Sequence, residues 1–201
     1  IQVGLGAGIE AVEDAGLEAN PVDAHRYGIA IGSGIGVINT IEQTHSTLLK
    51  GGPRRVSPFF VPSSVINMIS GNLSIRYGFK GPNIAVVTAC TTGTHNIGNG
   101  ALMIQNGYAD VMVVGGAEHA TSPITVAAFA SMKALSTRND EPERASRPWD
   151  EDRDGFVLGD GAGVLVLEEY ERAKARGATL YAEVLGFGMS GDAFHITGPA
   201  E

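Results

Sequence analysis

The sequence predicts an α/β fold layered around a largely parallel sheet, and three observations predict it. Short apolar, β-branched runs recur at 27–32, 83–88 and 110–115. Stretches with apolar residues at helical spacing separate them, which is the alternation of a mostly parallel sheet with helices on its faces. With 201 residues, 43% of them hydrophobic and 18% charged, the chain can bury a substantial core as one large or two small domains.

Residues 1–16 read as an amphipathic helix with Ile9, Val12 and Leu17 on one side, closed by Gly16 with Pro21 beyond it. Tyr27–Ile31 is a short strand that leads into Gly32-Ser33-Gly34-Ile35-Gly36. Glycines after a strand invite a phosphate-binding reading, but Val37 stands where a further glycine is needed and no Walker lysine–serine pair follows. A tight turn that presses Ile35 against another surface is the preferred reading. Val37–Leu49 resumes as a helix, and Lys50–Arg55 is a loop with the densest positive charge in the chain, which pattern alone favours as a solvated turn. Ser57–Pro62 carries Phe59 and Phe60 between prolines and is expected to pack into a core or a subunit interface. Ser63 is expected to cap a helix to about Tyr77, with Gly78–Pro82 breaking the chain after it.

Asn83–Thr88 reads as a buried strand; from Thr91 the period changes, with Ile97, Ala101 and Ile104 at helical spacing until Asn106-Gly107. Asp110–Val114 is another buried strand that leads into Gly115-Gly116, and Ile124–Met132 is a short apolar helix containing Phe129. Residues 133–154 read as a salt-bridged surface loop anchored by Pro148-Trp149. Phe156–Leu158 and Val164–Leu167 flank Gly159-Asp160-Gly161, a hairpin signal that adds antiparallel strands. Glu168–Arg176 is a charged helix ended by Gly177, and Leu180–Phe187 begins a further strand whose sequel runs to a terminal loop, Gly198–Glu201. The chain opens on Ile1 inside a helix and stops in that loop, so both ends read as cut and a longer protein is expected.

Composition narrows the function classes. A net charge of −8 without a basic stripe argues against nucleic acid, and any acidic partner would need a local basic patch. No apolar run reaches transmembrane length and no signal peptide is visible, so a cytoplasmic protein without a membrane partner is expected. A single cysteine excludes an intrachain disulfide and fits a reducing compartment.

That cysteine, Cys90, stands where a strand ends and a helix begins. Unpaired N–H groups and the positive end of the helix dipole favour a thiolate there, and small neighbours allow the bend of a nucleophile elbow. A buried filler cysteine is the competing reading, and the pattern alone leaves both open.

The segments AVVTACTTGTHNIG, VVGGAEHA, ALSTRND, ASRPWDEDRDGFVLGDGAGVLVLEEYERAKARGA and DAFHITGP resemble the elongating β-ketoacyl-acyl-carrier-protein synthases of bacterial type II fatty-acid synthesis, across essentially the whole chain. The resemblance implies a thiolase-like fold, two similar halves stacked as αβαβα layers in a homodimer. This chain would carry most of the first half over 1–178, without its first strand, and the truncated start of the second over 179–201. It also implies that Cys90 accepts the acyl chain and that the Cys90 N–H is one oxyanion donor. Ile35 would gate the acyl pocket, Phe129 would line it, and Thr197 would face the pantetheine arm. Arg54, Arg55 and Lys133 would dock the acidic acyl carrier protein, in its acyl and malonyl forms, against the solvated-turn reading. Neither a metal nor a cofactor is implied.

Departures qualify the resemblance. The family's decarboxylating histidines lie in His-Gly-Thr and Gly-His motifs that do not occur here, and His25, His45, His95, His119 and His195 match neither position. His95 lies five residues past Cys90, about 140° around a helix, and reads as structural, as does His119. Gly198 stands where many relatives have Ser or Ala. Within the same class, a ketosynthase of polyketide synthesis is the nearest alternative. A non-catalytic chain-length factor would lack the cysteine, and the motifs point away from a thiolase acting on coenzyme A.

Overall fold

Alternate residues of the two central strands face opposite ways, and this sorts the chain into layers. The computed structural model describes residues 1–198 and Ala200. Its sheet has the order β2 (Asn83–Ile84), β1 (Tyr27–Gly32), β3 (Val111–Glu118), β4 (Gly161–Glu168). The first two pairings are parallel and β3–β4 is antiparallel. Ile29, Ile31, Val111 and Val113 face one side, where they meet Val12 of α1 (Gln2–Asp14) and Ile69, Leu73 and Tyr77 of α4 (Met68–Tyr77). Ala30, Met112 and Val114 face the other, against Ile97, Met103 and Ile104 of α5 (Thr92–Gln105). Strands covered on both faces read as continuous apolar runs, which is why 27–32 and 111–114 are unbroken.

The remaining helices lie outside these layers: α2 (Ile38–Gly51), α3 (Phe60–Ser64), α6 (Pro123–Ser131) and α7 (Tyr170–Ala175). The layered α/β expectation holds, and so do α1, β1, α5 and α6 within a few residues. Glycines 16, 78, 107 and 177 each follow a helix with left-handed backbone, as their sequence positions predict.

Several elements differ from expectation. The strand expected over 83–88 pairs only at Asn83 and Ile84, and Val87 and Thr88 are exposed. Side chains of α5 take over its backbone groups, as described below. β3 runs on through Gly115-Gly116 because β4 pairs with it along its full length. A Cβ on Gly115 would stand 2.1 Å from the Gly163 carbonyl oxygen, so glycine is required for that pairing. Lys50 and Gly51 belong to the last turn of α2, and only 53–55 forms a separate 3₁₀ turn. Ser63 does not cap α4; it lies inside α3 and its hydroxyl bonds back to the Phe60 carbonyl.

Phe59 and Val61 are 73% and 64% exposed, so Ser57–Pro62 does not pack into this chain's core. Trp149, at 94% exposed, does not anchor the 133–154 loop; Ala145 is the buried residue there, and Arg138–Glu141, Arg144–Glu141 and Arg147–Asp154 ion pairs brace it. No hairpin forms at 156–167. Phe156 makes only an isolated bridge with Leu135, and Asp160 is a tie rather than a turn, accepting from the Ala120 and Thr121 N–H groups. Glu168 ends β4, and the following helix is capped by the Glu169 carboxylate. Leu180–Phe187 forms no strand among the described residues. The expected terminal loop includes Pro199 and Glu201, which lie outside the described residues.

Candidate active site

The seam between β2 and α5 is built as a sharp elbow. Cys90 occupies a 3₁₀ turn, Ala89–Thr91, that runs directly into α5, and it is exposed rather than core filler. The bend falls on Ala89, whose φ of +51° is a left-handed conformation costing a side-chain-bearing residue on the order of 1–3 kcal/mol. Such strain persists only where the surroundings over-determine it. Three side chains from the start of α5 do so here. Thr92 Oγ1 accepts from the Thr88 N–H at 2.9 Å, His95 Nδ1 bonds the Thr88 hydroxyl at 2.7 Å, and Asn96 bonds both backbone groups of Val86. The Cys90 N–H donates to no group among the described residues, so this donor at the head of α5 is available to an oxyanion.

The glycine loop after β1 lies against this elbow. Residues Gly32 and Gly116 are paired across β1 and β3, so Glu118, two residues on, reaches the loop two residues past Gly32. Its carboxylate accepts from the Ser33 hydroxyl at 2.7 Å, the Ile35 N–H at 2.8 Å and the Gly36 N–H at 2.9 Å. The donors that suggested a phosphate cradle are thus occupied by the protein's own anion. A Cβ on Gly34 would stand 2.9 Å from both the Ala89 carbonyl oxygen and Glu118 Oε2, so loop and elbow touch with no room for a side chain. An apolar cleft of about 600 Å³ borders the same loop through Ser33, Gly36 and Val37, with Leu5, Phe59 and Ile69 among its walls; Cys90 does not line it.

Cys90 and the Ile35 loop are therefore brought together. Phe129 is half-buried with its ring edge-on to Phe156, centroids 5.1 Å apart. Arg54 and Arg55 project from the exposed 53–55 turn, and Lys133 is exposed just beyond α6 with left-handed backbone. None of these three cations pairs with a carboxylate among the described residues. Thr197 is exposed and its N–H donates to His195 Nδ1 at 3.2 Å. No hydrogen bond among the described residues ties Arg54, Arg55, Lys133 or Thr197 to the elbow or the glycine loop. His95 is held by Thr88, and His119 pairs with Asp160 at 3.0 Å, so both have structural partners.

Glu118 and Asn96 are the residues that sequence reasoning passed over. An acidic residue at the end of an apolar strand, in register with glycines beyond its neighbour, is the signal for Glu118. Asn96 gives none, because its amide replaces a strand that the apolar pattern itself promised. Among the described residues no group of three or more His, Cys, Asp or Glu side chains could hold a metal ion, and no helix is long and apolar enough to cross a membrane.

Comparison with known proteins follows the same lines as the geometry. The chain is 67% identical, over all 201 of its residues, to the 3-oxoacyl-[acyl-carrier-protein] synthase 2 of Vibrio cholerae, of which it covers 49%. It thus spans about half the length of the curated relatives it matches. A β-ketoacyl synthase from Burkholderia phymatum superposes with a TM-score of 0.87 at 38% identity, over 98% of this chain and 49% of that one. A type II polyketide-synthase acyl-carrier protein in complex with its ketosynthase bound to the hexaketide gives 0.87 at 30% identity, over 96% and 49%. The fold is the thiolase-like layered arrangement of those ketosynthases, here its first half. With the sequence profile of the family "Beta-ketoacyl synthase, N-terminal domain" matching residues 1–173, the chain belongs to the β-ketoacyl synthase family.

Proposed function

We propose that this chain carries the nucleophile half of a β-ketoacyl-acyl-carrier-protein synthase that elongates fatty acids. The observation that carries the proposal is the exposed Cys90 on a strained elbow at the head of α5, in a chain of this family. The Cys90 thiolate attacks the thioester carbonyl of an acyl carrier protein, and the carrier's thiolate leaves. The acyl group then sits on Cys90 as a thioester. Malonyl carrier protein loses CO2, its carbanion attacks that thioester carbonyl, and the Cys90 thiolate is expelled as the new carbon–carbon bond closes. The tetrahedral oxyanion of each attack takes a hydrogen bond from the Cys90 N–H. His95 and His119 are engaged structurally and are not assigned to decarboxylation; that step is assigned to residues outside this chain, since its five histidines match neither decarboxylating motif.

In this reading Ile35 gates the acyl path, Phe129 lines it and Thr197 meets the pantetheine arm. Arg54, Arg55 and Lys133 dock the carrier; their lack of acidic partners among the described residues supports this, because an acidic carrier would supply them. A solved ketosynthase with its carrier protein among the structural neighbours supports the same partner class. Residues 1–178 form the first half of the fold and 179–201 begin the second. The exposed Phe59 and Val61 and the exposed edge beyond β2 belong to a homodimer face, and the enzyme works in the cytoplasm. A polyketide ketosynthase is the second reading, supported by the 30% identical neighbour; the 67% identity to a fatty-acid synthase favours the first.

The experiment is single-turnover acylation of the full-length protein with an acyl-carrier thioester. Label is expected on Cys90; a full-length protein that takes no label contradicts the proposal.

A further inference from the structure

The proposed reaction makes no use of Glu118, yet its half-buried carboxylate takes three hydrogen bonds from one short loop. A carboxylate accepting several N–H and O–H groups sets the conformation of the segment that donates them, because each donor it releases is left unpaired. Ser33 is itself buried, so its hydroxyl has no solvent to turn to. At Gly34 the loop abuts both that carboxylate and the Ala89 carbonyl, so it is tied to Glu118 and packed against the elbow that carries Cys90. Ile35, with one N–H on Glu118 and a half-exposed side chain, is the residue whose position this tie decides.

We infer that Glu118 is a positioning residue for acyl-chain selection: its carboxylate latches the Ser33–Gly36 loop and so sets where Ile35 stands beside the Cys90 elbow. This rests on the proposal that Cys90 carries the acyl chain and Ile35 gates its path. A glutamine in place of Glu118 keeps one acceptor oxygen and turns an NH2 group toward the loop's donors, so part of the latch is lost and Ile35 is released. The effect falls on which chains reach Cys90, not on the thiol itself.

The test is the rate of Cys90 acylation in the full-length protein, measured with carrier thioesters of one short and one long saturated acyl chain. Glu118→Gln is expected to change the long-to-short ratio by about tenfold, the scale of one charge-assisted hydrogen bond, while the rate of iodoacetamide alkylation of Cys90 stays as in the wild type. Ser33→Ala, which removes one donor, is expected to move the ratio in the same direction by less. In an Ile35→Ala background Glu118→Gln is expected to add little, since it acts through Ile35. If Glu118→Gln does not fold, Ser33→Ala with and without Ile35→Ala carries the same test. An unchanged ratio in the soluble variant, or a shift that adds in full to that of Ile35→Ala, overturns the inference. A wild-type protein that takes neither acyl group on Cys90 overturns the proposed function as well, and is seen before any variant is made.

Discussion

Asn96 holds Val86 by both its backbone groups: its Oδ1 accepts from the Val86 N–H at 3.0 Å and its Nδ2 donates to the Val86 carbonyl at 2.9 Å. The amide stands where a neighbouring strand would be, and it is completely buried. The same Nδ2 also reaches the Thr92 carbonyl at 2.8 Å, so one side chain joins the approach to Cys90 to the first turn of α5.

Replacing Asn96 with Ala should therefore cost roughly 3 kcal/mol, because buried backbone groups lose their partners. Urea unfolding of the two proteins measures it. Asn96→Asp should also destabilise, since a carboxylate cannot donate to the Val86 and Thr92 carbonyls. A cost of a few tenths of a kilocalorie would show that the clamp adds little to the elbow.

A second pair ties the start of β1 to the start of β3. Arg26 grips Asp110 with Nε at 3.0 Å and a second nitrogen at 2.6 Å. The Arg26 hydrogen bond holds the Asp110 carboxyl below the usual carboxylate range. The unfolded chain therefore binds more protons than the folded one in that acidic window. The pair's contribution is complete above the unfolded carboxylate pKa of about 3.9 and fades as pH falls through the lowered folded value. Both side chains are near one-third exposed, so the gain is small. Asp110→Asn should be slightly less stable than wild type at neutral pH and indistinguishable from it in strong acid. A stability gap that stays constant down the acid limb would refute this linkage.

Carrier docking makes a charge-specific prediction. Arg54→Glu with Arg55→Glu should raise the KM for carrier protein by about tenfold, and the difference from wild type should shrink with added salt. The iodoacetamide reaction of Cys90 should not change. A carrier KM equal to that of the wild type removes these arginines from the docking surface.

Much of the fold was legible because it depends on local patterns. The unbroken apolar runs of β1 and β3 reflect burial on both faces, and glycines 16, 78, 107 and 177 mark helix ends by their backbone. What stayed hidden depends on side chains that replace backbone partners at a distance. Val86 to Thr88 has strand composition but bonds Asn96 and Thr92, ten and four residues on. Asp160 has the composition of a hairpin turn but bonds the backbone at Ala120 and Thr121, forty residues away. At the candidate site the place of Cys90 at a strand-to-helix turn was legible from the change of period around it. The tight turn at Ile35 was legible from its glycines, although Gly34 rather than the exposed Ile35 is the residue pressed against the elbow. A gating role for Ile35 came only from a resemblance. Glu118 was not legible, because its role comes from the pairing of β1 with β3 rather than from its neighbours in sequence.

Cys90 as the acyl acceptor is the claim on which the account turns, and intact mass tests it most directly. Full-length protein incubated with an acyl-carrier thioester should gain the mass of one acyl group per chain, mapping to the peptide that contains Cys90, and Cys90→Ala should gain none. Acylation of the Cys90→Ala protein, or of a different residue in the wild type, would contradict it.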